Sequence, residues 1–371
     1  MPRYAEQITA LLRAIIWNEP LQTDPAVLLE PGLWQMAQRQ QMAHMLAVWA
    51  MNQGYALPQS TERKLQVFST LQRQERQKNL LVELVTLLRK HGIEPVLLKG
   101  YALALLYSNP DMRDSADVDL YIGEAHYDAM IPIVRAAYPN AFWFSEEHAG
   151  LHFTMVLDEN LDRIAELHRV AMEWHSIPRA DRAFQTFTHD EMTRTRSIKV
   201  NGIEVSIPSR TYNALYVFMH AWHHFASSGV GLRQMADWML ALHDAAEETQ
   251  LAQTLQPLLE QMYMLEIWQT FGWVLVNRLG LPQNEFPLYT DVCAQKGEQL
   301  YRQLLLDGHC GREARLQFFG ERMYYFPYAR PEKGRMRQKT YTFCRLTFQY
   351  FQMRKLFPQY ALHEYIGSLI Y

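Results

Sequence analysis

At 371 residues, 20% charged and 49% hydrophobic, the chain has room for roughly two or three domains and the composition of a globular protein, which excludes wholesale disorder. A formal net charge of -3 argues against a general nucleic-acid coat protein, because such proteins are basic over a whole domain. Three widely spaced cysteines, Cys293, Cys310 and Cys344, offer neither a disulfide framework nor a cysteine zinc site and suit a reducing, cytoplasmic compartment. The amphipathic amino terminus carries Glu6 and no small-residue cleavage site, so it reads poorly as a signal peptide, and no apolar run approaches the length of a membrane span.

Residues 1–92 read as a helical segment. Leu11, Leu12, Ile15 and Ile16 share one helical face, and Met36, Met42, Met45, Leu46 and Trp49 suggest another helix packed through adaptable methionines. The stretch from Thr61 to Arg89 predicts one long helix with Thr61 as its N-cap and His91-Gly92 as its stop. Its charged centre, RQERQK, is either a solvated face, the reading favoured, or a surface that contacts nucleotide.

Residues 93–208 change pattern. Short apolar strands (VLLK, ADVDLYI, HFTMVL, RIAELHRV) alternate with helices near Tyr101 to Tyr107 and Glu124 to Tyr138, the signature of an α/β or α+β sheet domain. HFTMVL and RIAELHRV, joined by DENLD, predict an antiparallel hairpin; RSIKVNGIEVSIP predicts a second, turned by Asn201-Gly202. Residues 209–371 return to helices, with NALYVFMHAWHHFA and LRQMADWMLALHDAA strongly amphipathic, and the outer segments are expected to pack together around the middle one.

The chemistry concentrates in VLLKGYALALLYSNPDMRDSADVDLYI, Val96 to Ile122. Asp117 and Asp119 are two apart on a strand, so both project to one face. Two neighbouring carboxylates repel unless a divalent cation lies between them, and Mg²⁺ takes hard oxygen ligands from one or two carboxylates plus substrate phosphates. Gly100 lets backbone approach a triphosphate, the helix after it would lend its positive end, and Lys99 adds a mobile charge. Glu166, on the strand RIAELHRV, is the candidate third acid, as ligand or as proton acceptor from the attacking hydroxyl; His168 shares its face and would orient it, contact phosphate, or simply lie on a wet strand face.

Elsewhere the signals are weaker. His220, His223 and His224 cluster on one helix side, where core hydrogen bonding is a better reading than zinc, and Arg233 with Asp237 suits an i,i+4 pair. Arg330 to Lys355 mixes basic and aromatic residues; single-stranded nucleic acid is one reading, but an amphipathic helix with a charged rim is favoured.

LLKG, then RDSADVDLYI, then AELHRV, followed by MHAWHH and LRQMADWML, resembles the uncharacterised nucleotidyltransferase family of the DNA polymerase β superfamily over about Glu94 to Ala246. The resemblance implies an α+β fold with a mixed-sheet core flanked by helical segments. It implies Asp117, Asp119 and Glu166 as metal ligands for Mg²⁺, with Mn²⁺ as a substitute, and Lys99 and Gly100 as the phosphate-facing turn. Arg113 matches the arginine four residues before the first aspartate, contacting phosphate or fixing the loop. Better-studied relatives carry Gly-Ser at the turn, whereas Tyr101 follows Gly100 here. The expected activity is transfer of a nucleoside monophosphate from an NTP such as ATP to an unidentified acceptor, with nucleic acid not the favoured one. Alternatives are a nucleotide-binding protein that has lost the reaction, and a glycosyltransferase, whose DxD lacks the preceding strand-Lys-Gly-helix unit.

Overall fold

The computed structural model describes residues 2–144, 152–159, 162–172, 177–227, 229–309, 347, 350–351 and 353–370. Four helices open the chain: α1 (Ala5–Trp17), α2 (Pro31–Arg39), α3 (Ala43–Asn52) and the long α4 (Ser60–Lys90). The α4 helix is the expected one, but Thr61 lies inside it; Gln59 is its N-cap residue and makes no side-chain capping bond. The middle of the chain gives β1 (Val96–Leu97), α5 (Tyr101–Ala104), β2 (Val118–Tyr121), α6 (Glu124–Ala137), β3 (Phe142–Phe144), β4 (His152–Val156), β5 (Ile164–His168), α7 (Pro178–Glu191), β6 (Arg196–Val200) and β7 (Ile203–Ile207). Helices α8 (Arg210–Ser227), α9 (Leu232–Asp244), α10 (Leu251–Gln261), α11 (Leu265–Val274), α12 (Ala294–Asp307) and α13 (Pro358–Ile370) follow.

The seven described strands form one mixed sheet in the order β3-β4-β5-β2-β1-β7-β6, so the protein is α+β. Both expected hairpins are present: β4 pairs with β5 and β6 with β7, antiparallel in each case. Asn201 (φ 43°) and Gly202 (φ 90°) both take positive φ, as a two-residue turn matching the strand twist requires. The pairing that matters for the site is β2 with β5, which run parallel with Asp119 opposite Glu166 and Tyr121 opposite His168. Side chains opposite one another in a pleated pair share a face, so Asp119, Glu166 and His168 rise together while Val118, Leu120, Ala165 and Leu167 are buried beneath.

Buried apolar side chains form two clusters. One joins α1–α3 to α8–α13, so the helices that begin and end the chain share a core, as expected. Its polar stitches include Thr9 Oγ1 to the Tyr301 hydroxyl at 2.7 Å and the Trp17 indole N–H donating to the Leu279 carbonyl at 3.0 Å. The other lies under the sheet, built from strand residues, α6 and the second half of α4, from Leu80 to Leu88. Helix α4 therefore touches both, contributing Val67 to the first cluster. Among the described residues no helix is long and apolar enough to cross a membrane. Residues 310–346, which hold most of the basic aromatic stretch, lie outside the described residues.

Candidate active site

The turn after β1 sets the geometry. Gly100 has φ 60° and ψ -124°, a region closed to residues with a Cβ, and an added Cβ would lie 3.6 Å from the Asp117 carbonyl oxygen. The turn thus lies close against the chain entering β2. The helix behind it, α5, has only four residues, so the expected positive helix end is reduced to a single turn.

Lys99 is not the mobile charge expected. Its Nζ lies 3.0 Å from Asp119 Oδ1 and 3.1 Å from His220 Nε2, and its side chain is 16% exposed. A lysine ammonium only donates, so His220 accepts from it and must be neutral at that nitrogen. Burial first, then the Lys99 charge, depress the His220 pKa well below the ordinary range, which agrees with that role. Burial works to deprotonate Lys99, but Asp119, backed by Tyr216, Asp117 and Glu166, more than offsets it and raises the Lys99 pKa.

Asp119 is the centre of the arrangement, with a side chain 1% exposed. Its Oδ1 also accepts from His168 Nε2 at 3.2 Å, and the same nitrogen lies 3.5 Å from Glu166 Oε2. Burial opposes ionisation of Asp119, yet Lys99 and then His168 outweigh it and hold the carboxyl well below its usual range. The other oxygen, Oδ2, is buried with no hydrogen-bond partner among the described residues. A buried anionic oxygen without a partner is costly in a folded protein and marks either strain or a missing ligand.

One ligand atom each from Asp119, Glu166 and His168 lies within 4.8 Å of the others, the metal-capable group among the described residues. This set differs from the expected Asp117, Asp119 and Glu166. His168, expected to meet nucleotide, lies in the cluster, whereas Asp117 precedes β2 and is not a member of it. Asp117 is still close enough to feel the cluster: the Asp119 charge, then burial, push its pKa up to about 7. Two acids in contrasting states, one held ionised and one holding its proton near neutrality, sit side by side, and pKa values pushed apart in this way recur where proton transfer is done.

Arg113 corrects another expectation. Rather than reaching towards phosphate, its side chain is buried and engaged in bonds to the protein. Nε and Nη2 grip Asp237 of α9 at 2.8 and 3.1 Å, and Nη1 donates to the Gly100 carbonyl at 3.0 Å and to Ser115 Oγ at 2.6 Å. Of its two expected roles, fixing the loop is the one its bonds serve. Asp237 also accepts from the Tyr107 hydroxyl at 2.7 Å and pairs with Arg233 at 3.2 Å, so the expected i,i+4 pair exists within a larger buried network. The charged centre of α4 is in part the solvated face expected, with Glu75 exposed, but several of its side chains bond to the protein. Arg73 chelates Asp114 at 2.7 and 2.9 Å, Arg76 pairs with Asp162 at 2.6 Å, and the Gln74 and Gln77 amides donate to the Arg113 and Ala116 carbonyls at 2.9 and 2.7 Å. Sequence reasoning missed Asp237, Tyr107, Gln74 and Gln77 as supports of the site; the one available signal was the uninterrupted polar run on a helix that must also bury a face.

No curated protein matches the chain. The chain is similar to the crystal structure of an antigenic nucleotidyltransferase-like protein from Paracoccidioides brasiliensis, at 14% identity over 59% of this chain and 96% of that one, with a TM-score of 0.34. A family model described as "uncharacterised nucleotidyltransferase" matches residues 30–274, a span that takes in α2 to α11 with the whole sheet and every residue of the cluster. The chain belongs to that nucleotidyltransferase family.

Proposed function

We propose that this protein is a divalent-cation-dependent nucleotidyltransferase that moves a nucleoside monophosphate from an NTP to a hydroxyl of an acceptor molecule in the cytoplasm. The observation that carries the reading is the Asp119 Oδ2 that has no hydrogen-bond partner among the described residues, in a group where Asp119, Glu166 and His168 offer ligand atoms within 4.8 Å of one another. Two carboxylates with a third acid, Asp117, beside them match the hard-oxygen preference of Mg²⁺ or Mn²⁺ better than that of zinc, which favours nitrogen and sulfur. When bound there, the cation would neutralise charge on the triphosphate and on the departing pyrophosphate.

The chain's own groups have separable tasks. Gly100 leaves the backbone bare where phosphate oxygens would approach. Lys99, kept charged by Asp119, would exchange part of that contact for the incoming phosphate. Glu166, the most accessible of the cluster at 28% exposure, is the candidate acceptor for the hydroxyl proton, with His168 holding its orientation. The acceptor oxygen forms a bond to the α-phosphorus as the bond from that phosphorus to the bridging oxygen breaks. Pyrophosphate takes the electron pair, and the hydroxyl proton passes to the carboxylate.

Replacing Asp117 and Asp119 together with asparagine tests this. Cation-dependent binding of NTP and release of pyrophosphate should fall at least ~100-fold, the scale of losing preorganised charge at a reacting centre. Unchanged turnover in the variant would remove the reading. A second reading, a nucleotide-binding protein without turnover, draws on two observations: Tyr101 follows the glycine of the turn, and Lys99 already occupies Asp119 Oδ1. Saturable binding of labelled NTP with Mg²⁺, with no pyrophosphate released across a broad set of hydroxyl acceptors, would favour it.

A further inference from the structure

A groove of about 380 Å³ opens between α3, the first half of α4 and the loop entering β2. It is of the size that takes a small organic molecule and is too small for a folded partner. At one end it is bounded by Ala116, the residue before Asp117; at another it is lined by Arg233, which also lines a small cavity shared with Lys99 and His220. It therefore borders the segment that leads into Asp117 and shares Arg233 with the small cavity beside Lys99, whose ammonium pairs with Asp119.

Resting on the transferase reading above, we propose that this groove is the acceptor subsite and that it is built for a small polyhydroxylated anion, a sugar phosphate or a sugar acid. Three features of its lining carry this. The first is an excess of positive charge. Asp114, the acid in the groove, is paired with Arg73, whose Nη2 reaches both carboxylate oxygens. Arg233 shares the single carboxylate of Asp237 with Arg113. Arg63 has no carboxylate bonded to it among the described residues: its Nε donates to the Pro58 carbonyl at 3.0 Å, and its guanidinium carbon lies 3.8 Å from the centre of the Trp34 ring. Held over an indole, with no bond to its terminal nitrogens among the described residues, Arg63 offers a fork for phosphate or carboxylate.

The second feature is neutral polarity of both signs. His44 Nε2 lies 2.8 Å from the Asp111 carbonyl, so that nitrogen is the protonated one and Nδ1 remains an acceptor. Burial depresses the His44 pKa and keeps the ring neutral. Gln66 and Thr70 add an amide and a hydroxyl, each able to donate and accept as a sugar hydroxyl requires. The third is the near absence of large apolar side chains from the lining, where Val67 is the bulkiest hydrophobe. An adenine or a fatty chain would gain little there, whereas a hydroxylated ring would be matched along its length.

Isothermal titration calorimetry on the full chain, with Mg²⁺ and non-hydrolysable ATP present, tests the proposal with glucose 1-phosphate, glucuronate, glucose and inorganic phosphate as probes. We expect at least one of the two anionic sugars to bind at least tenfold more tightly than glucose and inorganic phosphate, the phosphate and carboxylate arms deciding which anion the fork prefers. Arg63→Gln should weaken that binding at least tenfold and Arg63→Lys less, with affinity for Mg²⁺ and the ATP analogue unchanged within twofold. Thr70→Val gives a second variant that leaves every observed ion pair intact and should weaken the sugar several-fold. No saturable binding by either anionic sugar, equal affinity in Arg63→Gln, or equal affinity for inorganic phosphate, which would mean an adventitious ion only, would overturn it. Binding of the ATP analogue without the sugar sinks the groove alone; sugar binding that depends on Arg63 without cation-dependent nucleotide binding sinks the transferase reading and leaves the groove standing as a binding site.

Discussion

Gly100 is the single residue at which backbone conformation and proposed chemistry coincide. Its φ of 60° with ψ of -124° falls where an L side chain is strained whatever space surrounds it, and its carbonyl is held by Arg113. Gly100→Ala is therefore expected to cost about 1–3 kcal/mol of stability, the range for a residue forced into such a region. It should also weaken nucleotide binding by more than the stability loss explains, because the turn would relax away from the chain before β2. The check is a pair of measurements, chemical denaturation and NTP affinity at a temperature where the variant is folded. A variant with wild-type affinity and only lowered stability would reduce Gly100 to a structural role. At this scale much was readable from sequence. The alternation of a strand alone puts Glu166 and His168 on one face, and only glycine follows Lys99 without a Cβ. The proton balance was not readable: that Asp119 is held ionised while the Asp117 pKa rises to about 7 depends on Lys99 and His168 contacting one aspartate, a tertiary fact.

Between elements, the segment from α5 to β2 is fixed from two sides. Helix α4 holds its backbone through Gln74 and Gln77, and α9 holds Arg113 through Asp237. Sequence reasoning found the long helix and every described strand except the three-residue edge strand β3, because period and turn chemistry are local and β3 is too short to show a period. It missed the clamp because Arg113 and Asp237 are 124 residues apart, and no local pattern marks a buried arginine as paired instead of ligand-binding. Asp237→Asn makes the clamp testable. It would leave the Arg113 and Arg233 charges buried without their anion, and breaking such a pair costs about 3–5 kcal/mol. The pH dependence has a definite sign. Burial alone would raise the Asp237 pKa, but Arg113 and Arg233 together outweigh it and depress the carboxyl in the folded state. The unfolded chain therefore binds this proton first as pH falls, so the contribution is complete above the ordinary aspartate pKa of about 3.9 and is lost as pH drops through the depressed folded value. Denaturant unfolding of wild type and variant from pH 7 downward should show a constant gap that narrows only below about pH 4. A gap that is unchanged into strong acid would mean that the carboxylate charge is not what holds the clamp.

Over the whole molecule, the proposed site lies where two cores meet. Leu103, Tyr107 and Met112 are buried in the helical cluster, while Ala102, Val118 and Leu120 belong to the sheet cluster, so the chain crosses from one to the other in the segment that carries the site. Helix α4 crosses as well. The indoles divide unevenly: the fully buried Trp222, Trp238 and Trp268 lie in the helical cluster, and the sheet cluster has the partly buried Trp143 against it. Tryptophan fluorescence therefore reports mainly one core, and far-ultraviolet circular dichroism reports both. If the shared α4 and the crossing segment couple the cores, the two probes should give one coincident thermal transition, the test of two-state behaviour. By the proposed reading, a nucleotide bound with Mg²⁺ at the junction would contact the crossing segment and stabilise only the state in which both cores are formed. At a hundred times its dissociation constant it adds about 2.7 kcal/mol and should raise both transitions equally. Chelating the cation should return both to the starting value. A nucleotide shift seen by one probe and not the other would mean that the ligand binds within a single core, away from the β2–β5 carboxylates and the turn at Gly100.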